Sequence, residues 1–300
     1  MDINDKNLIE RYVYKTPKQI REDDLQTIRE YRLIDDTFAR SAFKGKPELA
    51  EFVLRIITRI ADLEIEPSSY ETQFDSKRLV RSRSLFFDLH GSDTAGRQYD
   101  VEMEKWDASP ERSEVHMGAM IAEHLLEGGG FSDLCETYVI FMCEHDEIGN
   151  GRAVNQFSYR NDDLFLENEE IEKQITPNAS LGGRTHILFV NGNYKDETSE
   201  IGKLVHDFKC SDPNDMYFSN LADRVRFVKG DQKEVEKMCK VLEDIRKDDQ
   251  ARYEMRMRVL HTRSLTESLG ITTEKAMELM QIPQNIRADV ANLVKSNIYS

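Results

Sequence analysis

Two acidic residues, Asp88 and Glu102, stand fourteen positions apart on either side of the connector GSDTAG, whose composition is typical of a turn. If the flanking strands pair so that Asp88 faces Asp100 or Glu102, both carboxylates lie on one face of the sheet. Opposed side chains have Cβ atoms ~5 Å apart, so a cation or strong solvation must offset the repulsion. Such oxygen ligands suit Mg²⁺ or Mn²⁺, which can activate water and stabilise a phosphodiester transition state.

A third acid, Glu104, follows Glu102 by two positions and therefore projects from the same face of the predicted strand. It is a candidate for a further metal ligand or for the group that orients the attacking water. The alternative is that these acids form the solvated side of an ordinary antiparallel sheet. Spacing alone leaves both interpretations open.

A basic segment, SKRLVRSRS, lies directly before the strand that carries Asp88 and contains no acid. Its basic residues are Lys77, Arg78, Arg81 and Arg83. Beside a metal-binding face, these side chains would hold a DNA phosphate backbone against the site. An ordinary solvated charge run is the alternative.

The elements that must position these side chains follow from hydrophobic periodicity. Alternation of apolar and polar residues in 85–90 and 98–106 predicts the two strands of a β-hairpin. Other predicted elements are helices at 33–43, 47–60, 112–127 and 198–208, a weak strand at 63–74, and strands at 136–145 and 185–192. The predicted core order is therefore helix, strand, strand, strand, helix, strand.

Two histidines, His116 and His124, lie eight positions apart in the helix predicted at 112–127. Helix packing or surface exposure is the preferred interpretation for both, and no metal role is assigned to them. The chain contains no G-x-S-x-G nucleophile elbow and no glycine-rich phosphate loop.

The two ends of the chain differ from its middle. The first thirty residues are rich in charged side chains and predict an exposed arm, in which Pro17 interrupts any early helix. The residues from Asp231 onward are highly charged and helical in character. We therefore divide the chain into an arm at 1–32, a domain at 33–230 and a C-terminal helical region at 231–300, whose helices are candidates for homo-oligomer contacts.

Composition limits the class of protein. The 300 residues carry a net charge of −15, which argues against coating nucleic acid through overall charge but allows a local basic surface. No run approaches the ~20 apolar residues of a membrane span, and the polar N-terminus is not a secretory signal. Four widely spaced cysteines fit reduced thiols. These features predict a cytoplasmic protein.

Several segments together resemble the PD-(D/E)XK nuclease family transposases, related to the Rpn recombination-promoting nucleases. IDDTFARSAFKGKPELAEFVLRII is similar to the opening helix of that family, and RSLFFDLHGSDTAGRQYDVEME to its catalytic hairpin. ETYVIFMCEHDEIGNG, GRTHILFVNGNY, EIGKLVHDFKC and PNDMYFSNLADRVRFVKG resemble the distal half, and KAMELMQIP is a looser match. The resemblance covers residues 33–230. It implies an α/β (α+β) fold with a restriction-endonuclease-like αβββαβ core and a C-terminal helical region.

The resemblance also implies the site residues. Asp88 matches the aspartate of the motif and Glu102 its second acid, both of them metal ligands. Glu104 falls where the wider superfamily has lysine and this family usually has glutamine. Asp35 matches an acid of the first helix that can assist from the edge of the site. The segment ERSEVHMGAM keeps Arg112, but the aromatic-rich Arg-x-x-Tyr run of the family is absent.

Position 104 is the departure with the largest chemical consequence. A lysine there would stabilise the nascent hydroxide and the charged transition state. Glu104 must instead bind a second cation, act as a base, or have lost the role. The expected function is a Mg²⁺-dependent (or Mn²⁺-dependent) DNA endonuclease with Asp88, Glu102, Glu104 and Asp35 as catalytic residues. The alternatives are a catalytically decayed DNA- or protein-binding module and a structural protein that self-associates.

Overall fold

The structure of the chain is a computed structural model. The described residues are 15–75, 86–106, 109–126, 130, 134–157 and 184–296. The basic run of Lys77, Arg78, Arg81 and Arg83 lies outside them. The chain divides into two compact units, one formed by Ile28–Glu234 and the other by the chain up to Thr27 together with the chain from Val235 onward.

Along the chain, helices and strands alternate as far as Val190, and the elements described after it are all helical. The helices are α1 Pro17–Glu30, α2 Asp36–Phe43, α3 Pro47–Thr58, α4 Pro110–Leu126, α5 Glu200–Lys209, α6 Ser219–Gly230, α7 Gln232–Leu269, α8 Thr273–Leu279 and α9 Arg287–Ser296, with a 3₁₀ turn at Gln284–Ile286. The strands are β1 Glu71–Asp75, β2 Phe86–Ser92, β3 Gln98–Glu104, β4 Thr137–Cys143, β5 Val154–Phe157 and β6 Thr185–Val190. This is a mixed α/β fold, which confirms the predicted class, and the described residues from Gln232 to Ser296 are mainly helical, as expected.

The strands form a single mixed sheet in the order β1-β2-β3-β4-β6-β5. Strands β1, β2 and β3 pair antiparallel, whereas β3, β4 and β6 run parallel to one another. The crossover from β3 to β4 passes through α4, as parallel neighbours require. Helix, three strands, helix and strand therefore follow one another along the chain in the predicted order.

The register of the hairpin is set by the pairs Leu89↔Val101 and His90↔Asp100. Continued by one residue, it places Asp88 opposite Glu102. Because side chains alternate between faces, Asp88, Asp100 and Glu102 share one face of the sheet. This agrees with one of the two registers that the sequence allowed.

Both faces of the hairpin are covered. On the face opposite the acids, Val53 and Leu54 of α3 line a small cavity together with Leu89 and Val101. On the acidic side, α4 packs against β4 and β6 through a hydrophobic core that contains Met117, Met120, Val139, Phe141 and Phe189. Strand β3 is consequently buried from its second residue to its last. The alternative of a solvated acidic face is therefore wrong.

Pro17 does not interrupt a helix as the sequence predicted. It is instead the first residue of α1, where its missing N–H has no intrahelical partner to lose and its fixed φ suits the helix. Asp24 of this helix forms a two-pronged ion pair with Arg246 of α7, with one N–O distance of 3.0 Å. No helix among the described residues is long and apolar enough to cross a membrane.

Candidate metal centre

Four carboxylic acids line one face of β2 and β3. Asp88 and Glu104 are each 7% exposed, Glu102 is 1% exposed and Asp100 is fully buried. Aspartate and glutamate are seldom this buried unless they are paired or bind a metal, because removing a charge from water is costly. The cluster therefore costs the fold stability, which points to a function.

Hydrogen bonds between side chains and backbone fix the two opposed acids. The Met103 N–H donates to Asp88 Oδ2 at 3.0 Å, and the Asp88 N–H donates to Glu102 Oε1 at 3.1 Å. Both carboxylates are thus held in place by strands whose register is set by buried apolar neighbours.

Helix α4 brings two further groups to the same face. Arg112 and His116 are four positions apart and so project from one side of the helix. Arg112 donates to Glu102 Oε2 at 3.2 Å and to Glu104 Oε2. His116 Nδ1 lies 3.1 Å from Asp100 Oδ2 and 3.7 Å from Glu102 Oε1. The positive guanidinium and the imidazole thus meet the acids at different points.

Burial dominates the electrostatics of the cluster. Burial and the charge of Glu102 raise the pKa of Asp88 to about 8. Burial and the charge of Asp100 raise the pKa of Glu102 to about 8, and burial and Asp88 raise the pKa of Asp100 well above its ordinary range. Burial also lowers the pKa of His116. Without a cation, Asp88, Asp100 and Glu102 therefore keep their protons to higher pH than ordinary carboxyl groups, and the lowered pKa of His116 favours the neutral imidazole, which is the form that binds metals.

Asp100, Glu102 and His116 form a group that could hold a metal ion. Each offers one ligand atom, and the three atoms all lie within 4.8 Å of one another. Ligands at right angles around an ion with bonds of about 2.1 Å lie about 3.0 Å apart, close to the 3.1 Å between His116 Nδ1 and Asp100 Oδ2. Asp100 Oδ1 is buried and accepts no hydrogen bond from the described residues. These residues fit a divalent cation.

The predicted site residues are placed as follows. Glu102 belongs to the convergent group, and Asp88 faces it across the hairpin. Glu104 accepts the Trp106 N–H at 3.1 Å in addition to its ion pair with Arg112. Asp35 is turned to Lys105, whose Nζ lies 2.6 Å from its carboxylate.

The acid of α2 that faces Asp88 is Asp36, the residue after Asp35, and its charge contributes to the raised pKa of Asp88. The acid of the opening helix nearest the site is thus one position away from the predicted residue. Asp35 is the N-cap residue of α2 but makes no side-chain cap hydrogen bond to the helix, and its carboxylate instead accepts the N–H of the preceding Arg32 at 2.7 Å.

Asp100, Arg112 and His116 were not among the predicted ligands or catalytic residues. Asp100 carries the same alternation signal as Glu102, from which it is two positions away. The spacing of Arg112 and His116 marks one face of α4, but only the packing of that helix on β4 and β6 shows which face meets the acids. No protein-family model, curated protein or solved structure matches the chain.

Proposed function

We propose that this chain is a divalent-metal-dependent endonuclease that hydrolyses DNA phosphodiester bonds. The observation that carries the proposal is the buried row of acids on β2 and β3, joined by His116, in which Asp100 Oδ1 has no donor among the described residues. The cost of burying these acids together is explained if a cation binds among them. The order of helix, three strands, helix and strand supports the nuclease-like core, and the sequence resemblance supports DNA as substrate.

Asp100, Glu102 and His116 would hold the cation, with Asp88 beside them. When bound, a divalent ion lowers the pKa of a coordinated water and neutralises charge on a phosphoryl oxygen. Glu102 can serve both this ion and Arg112, because Oε1 faces His116 whereas Oε2 faces the guanidinium. An imidazole among the ligands favours Mn²⁺ over Mg²⁺ as the ion that binds more tightly.

Glu104 and Arg112 supply the acid–base and charge chemistry near the opening of the site. The Arg112 side chain is 39% exposed, so it is the part of the cluster that a phosphate meets first. Arg112 stabilises the negative charge that develops on the phosphate, the role that lysine would fill at position 104. Glu104 orients the attacking water and takes its proton as the water oxygen bonds to phosphorus; the bond to the leaving sugar oxygen breaks, and that oxygen takes a proton from solvent water.

A second candidate function is a nuclease-like module without catalysis. The observation that favours it is the pairing of Arg112 with both Glu102 and Glu104, since an internal cation can offset part of the acidic charge. In that case the module binds DNA or a protein independently of divalent ions. Activity in the presence and absence of metal separates the two functions.

The experiment is a cleavage assay with supercoiled plasmid DNA, purified protein, and Mn²⁺, Mg²⁺ or EDTA. The parent protein should cleave with Mn²⁺ and Mg²⁺ but not in EDTA, and Glu102→Gln should lose at least about a hundredfold in rate. Asp93→Asn is the matched control, because Asp93 is equally buried but pairs with Arg97 and Tyr99. Thermal melting verifies that each variant is folded. Equal cleavage by the parent and Glu102→Gln would refute the proposal.

A further inference from the structure

Trp106 is the most exposed large apolar side chain among the described residues. It is the sole tryptophan of the chain, and 80% of its surface is accessible to solvent. Tryptophan normally buries most of its surface, because contact between a large apolar ring and water is unfavourable. An indole this exposed is a candidate for contact with a ligand that covers it.

A hydrogen bond ties Trp106 to the proposed nuclease site. Its backbone N–H donates to Glu104 Oε1 at 3.1 Å, while Glu104 Oε2 accepts from Arg112. Glu104 is the buried last residue of β3, so the chain passes from a buried strand to open surface within two residues. Trp106 therefore lies at the mouth of the acidic cluster, beside the carboxylate to which we assign the attacking water.

A phosphodiester bound at this mouth determines what lies next to the indole. The exposed part of Arg112 would meet the phosphate, and Glu104 would hold the attacking water. The nucleotides on either side of that phosphate are joined to it covalently, and successive nucleotides of a strand rise by only about 3.4 Å. A base beside the cleaved bond consequently lies within reach of the exposed ring.

The cations around the mouth are already matched by acids. Arg112 is paired with Glu102 and Glu104, and Lys105 Nζ lies 2.6 Å from the carboxylate of Asp35. Attraction of phosphate charge is therefore limited, and contact with the bases has to contribute to binding. Aromatic side chains make this contact by stacking, since every nucleobase has a flat π face.

The surroundings of the ring distinguish a base from a protein partner. Within 98–126, the exposed large apolar side chains of the described residues are Trp106 and Val115. Two exposed acids, Glu111 and Glu114, follow on α4. The core of a protein interface is depleted of charge and contains several apolar side chains. A lone ring among charged residues fits one flat base better than it fits an apolar protein surface.

We infer that Trp106 stacks on an unpaired base beside the cleaved phosphodiester, so that the substrate is DNA whose bases are unpaired at the site of cleavage. In an intact duplex the neighbouring base pairs cover both faces of each base, and an enzyme can reach a base only after it has left the stack. The inference rests on the proposed function, because Arg112 and Glu104 place the phosphate. It specifies the class of DNA that the site accepts.

Quenching of tryptophan fluorescence tests the stacking directly, because the emission of the full chain comes from Trp106 alone. The titration is made in EDTA at pH 6, where the raised pKa values of Asp88 and Glu102 keep both acids protonated and limit repulsion of phosphate. An oligothymidylate of about 20 nucleotides should quench the emission. An abasic strand of the same length has the same phosphates but no bases, and it should not. Relaxed closed-circular duplex DNA should quench much less than oligothymidylate.

Fluorescence anisotropy of labelled oligothymidylate compares the variants. Trp106→Ala should weaken binding about five- to 150-fold, the loss expected for one stacked base. Trp106→Phe should weaken it less than about threefold, because the phenyl ring can also stack. Phe157→Ala is the matched control and should leave affinity unchanged. Phe157 is an exposed aromatic residue on β5, which lies three strands away from β3 in the sheet.

Cleavage in Mn²⁺ separates this inference from the nuclease proposal. The parent should cleave single-stranded circular DNA at least about tenfold faster than relaxed duplex circles, and Trp106→Ala should lose most of that preference. If the parent cleaves no DNA, the nuclease proposal is wrong, and no cleaved bond lies beside Trp106. If cleavage depends on metal but the parent and Trp106→Ala cleave single-stranded DNA equally fast, the stacking inference alone is overturned.

The binding measurements can overturn the inference independently. Absence of quenching by oligothymidylate would do so, and it is the result expected if Trp106 contacts a protein instead. Equal quenching by the abasic strand would show that the phosphates, and not the bases, contact this part of the surface. Equal affinities of Trp106→Ala and Phe157→Ala for oligothymidylate would also overturn it.

Discussion

Replacing Asp88 with asparagine should stabilise the metal-free protein, by an amount that increases with pH. Burial and the charges of Glu102 and Asp36 raise the pKa of Asp88 from 3.8 to about 8. The folded protein therefore binds this proton more tightly than the unfolded chain, so stability falls as pH rises from about 4 to about 8. Asparagine has the same shape, can still accept the Met103 N–H and has no proton to lose.

The size of the effect follows from the two pKa values. Each pH unit between them corresponds to about 1.4 kcal/mol, which sets an upper limit of about 6 kcal/mol on the cost of ionising Asp88. Neutralising Asp88 also relieves Glu102, and the two acids share their charge repulsion. We therefore expect Asp88→Asn to stabilise the protein on the order of 2–3 kcal/mol at pH 8.5 and by less than about 1 kcal/mol at pH 5.

Urea denaturation in EDTA at pH 5 and pH 8.5 measures this difference. The control is Asp93→Asn, which removes a buried acid that is paired with Arg97 and should destabilise the protein at both pH values. At pH 8.5, saturating Mn²⁺ should make the parent more stable than Asp88→Asn. The parent binds the ion more tightly, so binding adds more to its free energy of unfolding. If the free energies of unfolding of the parent and of Asp88→Asn changed equally between the two pH values, the assignment of a proton to Asp88 would be refuted.

Three further predictions concern the same cluster and the smaller unit. Arg112→Met should destabilise the metal-free protein on the order of 1–3 kcal/mol at pH 8, because Glu102 and Glu104 lose their paired cation, and Mn²⁺ should restore part of the loss in thermal melting. Calorimetric Mn²⁺ affinity should rise from pH 6 to pH 8, since the ion must displace protons from acids with raised pKa values, and an affinity independent of pH would contradict this. Arg246→Ala should destabilise the protein by about 1–3 kcal/mol in urea denaturation, because it leaves Asp24 buried without its ion pair; a change below about 0.5 kcal/mol would count against that pair.

Alternation along the chain was sufficient to predict the hairpin and the face that its acids share. A period of two is a local property of the sequence. The folded hairpin keeps it because Leu89 and Val101 must point to the same side of the sheet. Burial of that face was not predictable in the same way. Alternating acids are equally compatible with a solvated sheet, and the outcome depends on where α4 packs.

The position of His116 beside the acids was also not predictable from local sequence pattern. Its neighbours Asp100 and Glu102 are more than a dozen positions away in sequence, and they meet it only because the crossover helix packs on β4, the strand next to β3, and directs His116 toward them. A related cause explains why Asp36, and not the predicted Asp35, lies beside Asp88. Successive residues of a helix point in different directions, so a shift of one residue changes which side chain faces the sheet. Such contacts are tertiary, whereas the periodicity of the chain is local.

The most direct test is a Mn²⁺ titration at pH 8, in which electron paramagnetic resonance measures the concentration of free Mn²⁺. We expect a Mn²⁺ site in the parent protein whose affinity falls at least about tenfold in both Asp100→Asn and His116→Ala, but not in Asp93→Asn. Thermal melting establishes that the variants are folded. Absence of Mn²⁺ binding by the parent, or equal binding by the parent and both site variants, would contradict the claim that the buried acids exist to hold a cation.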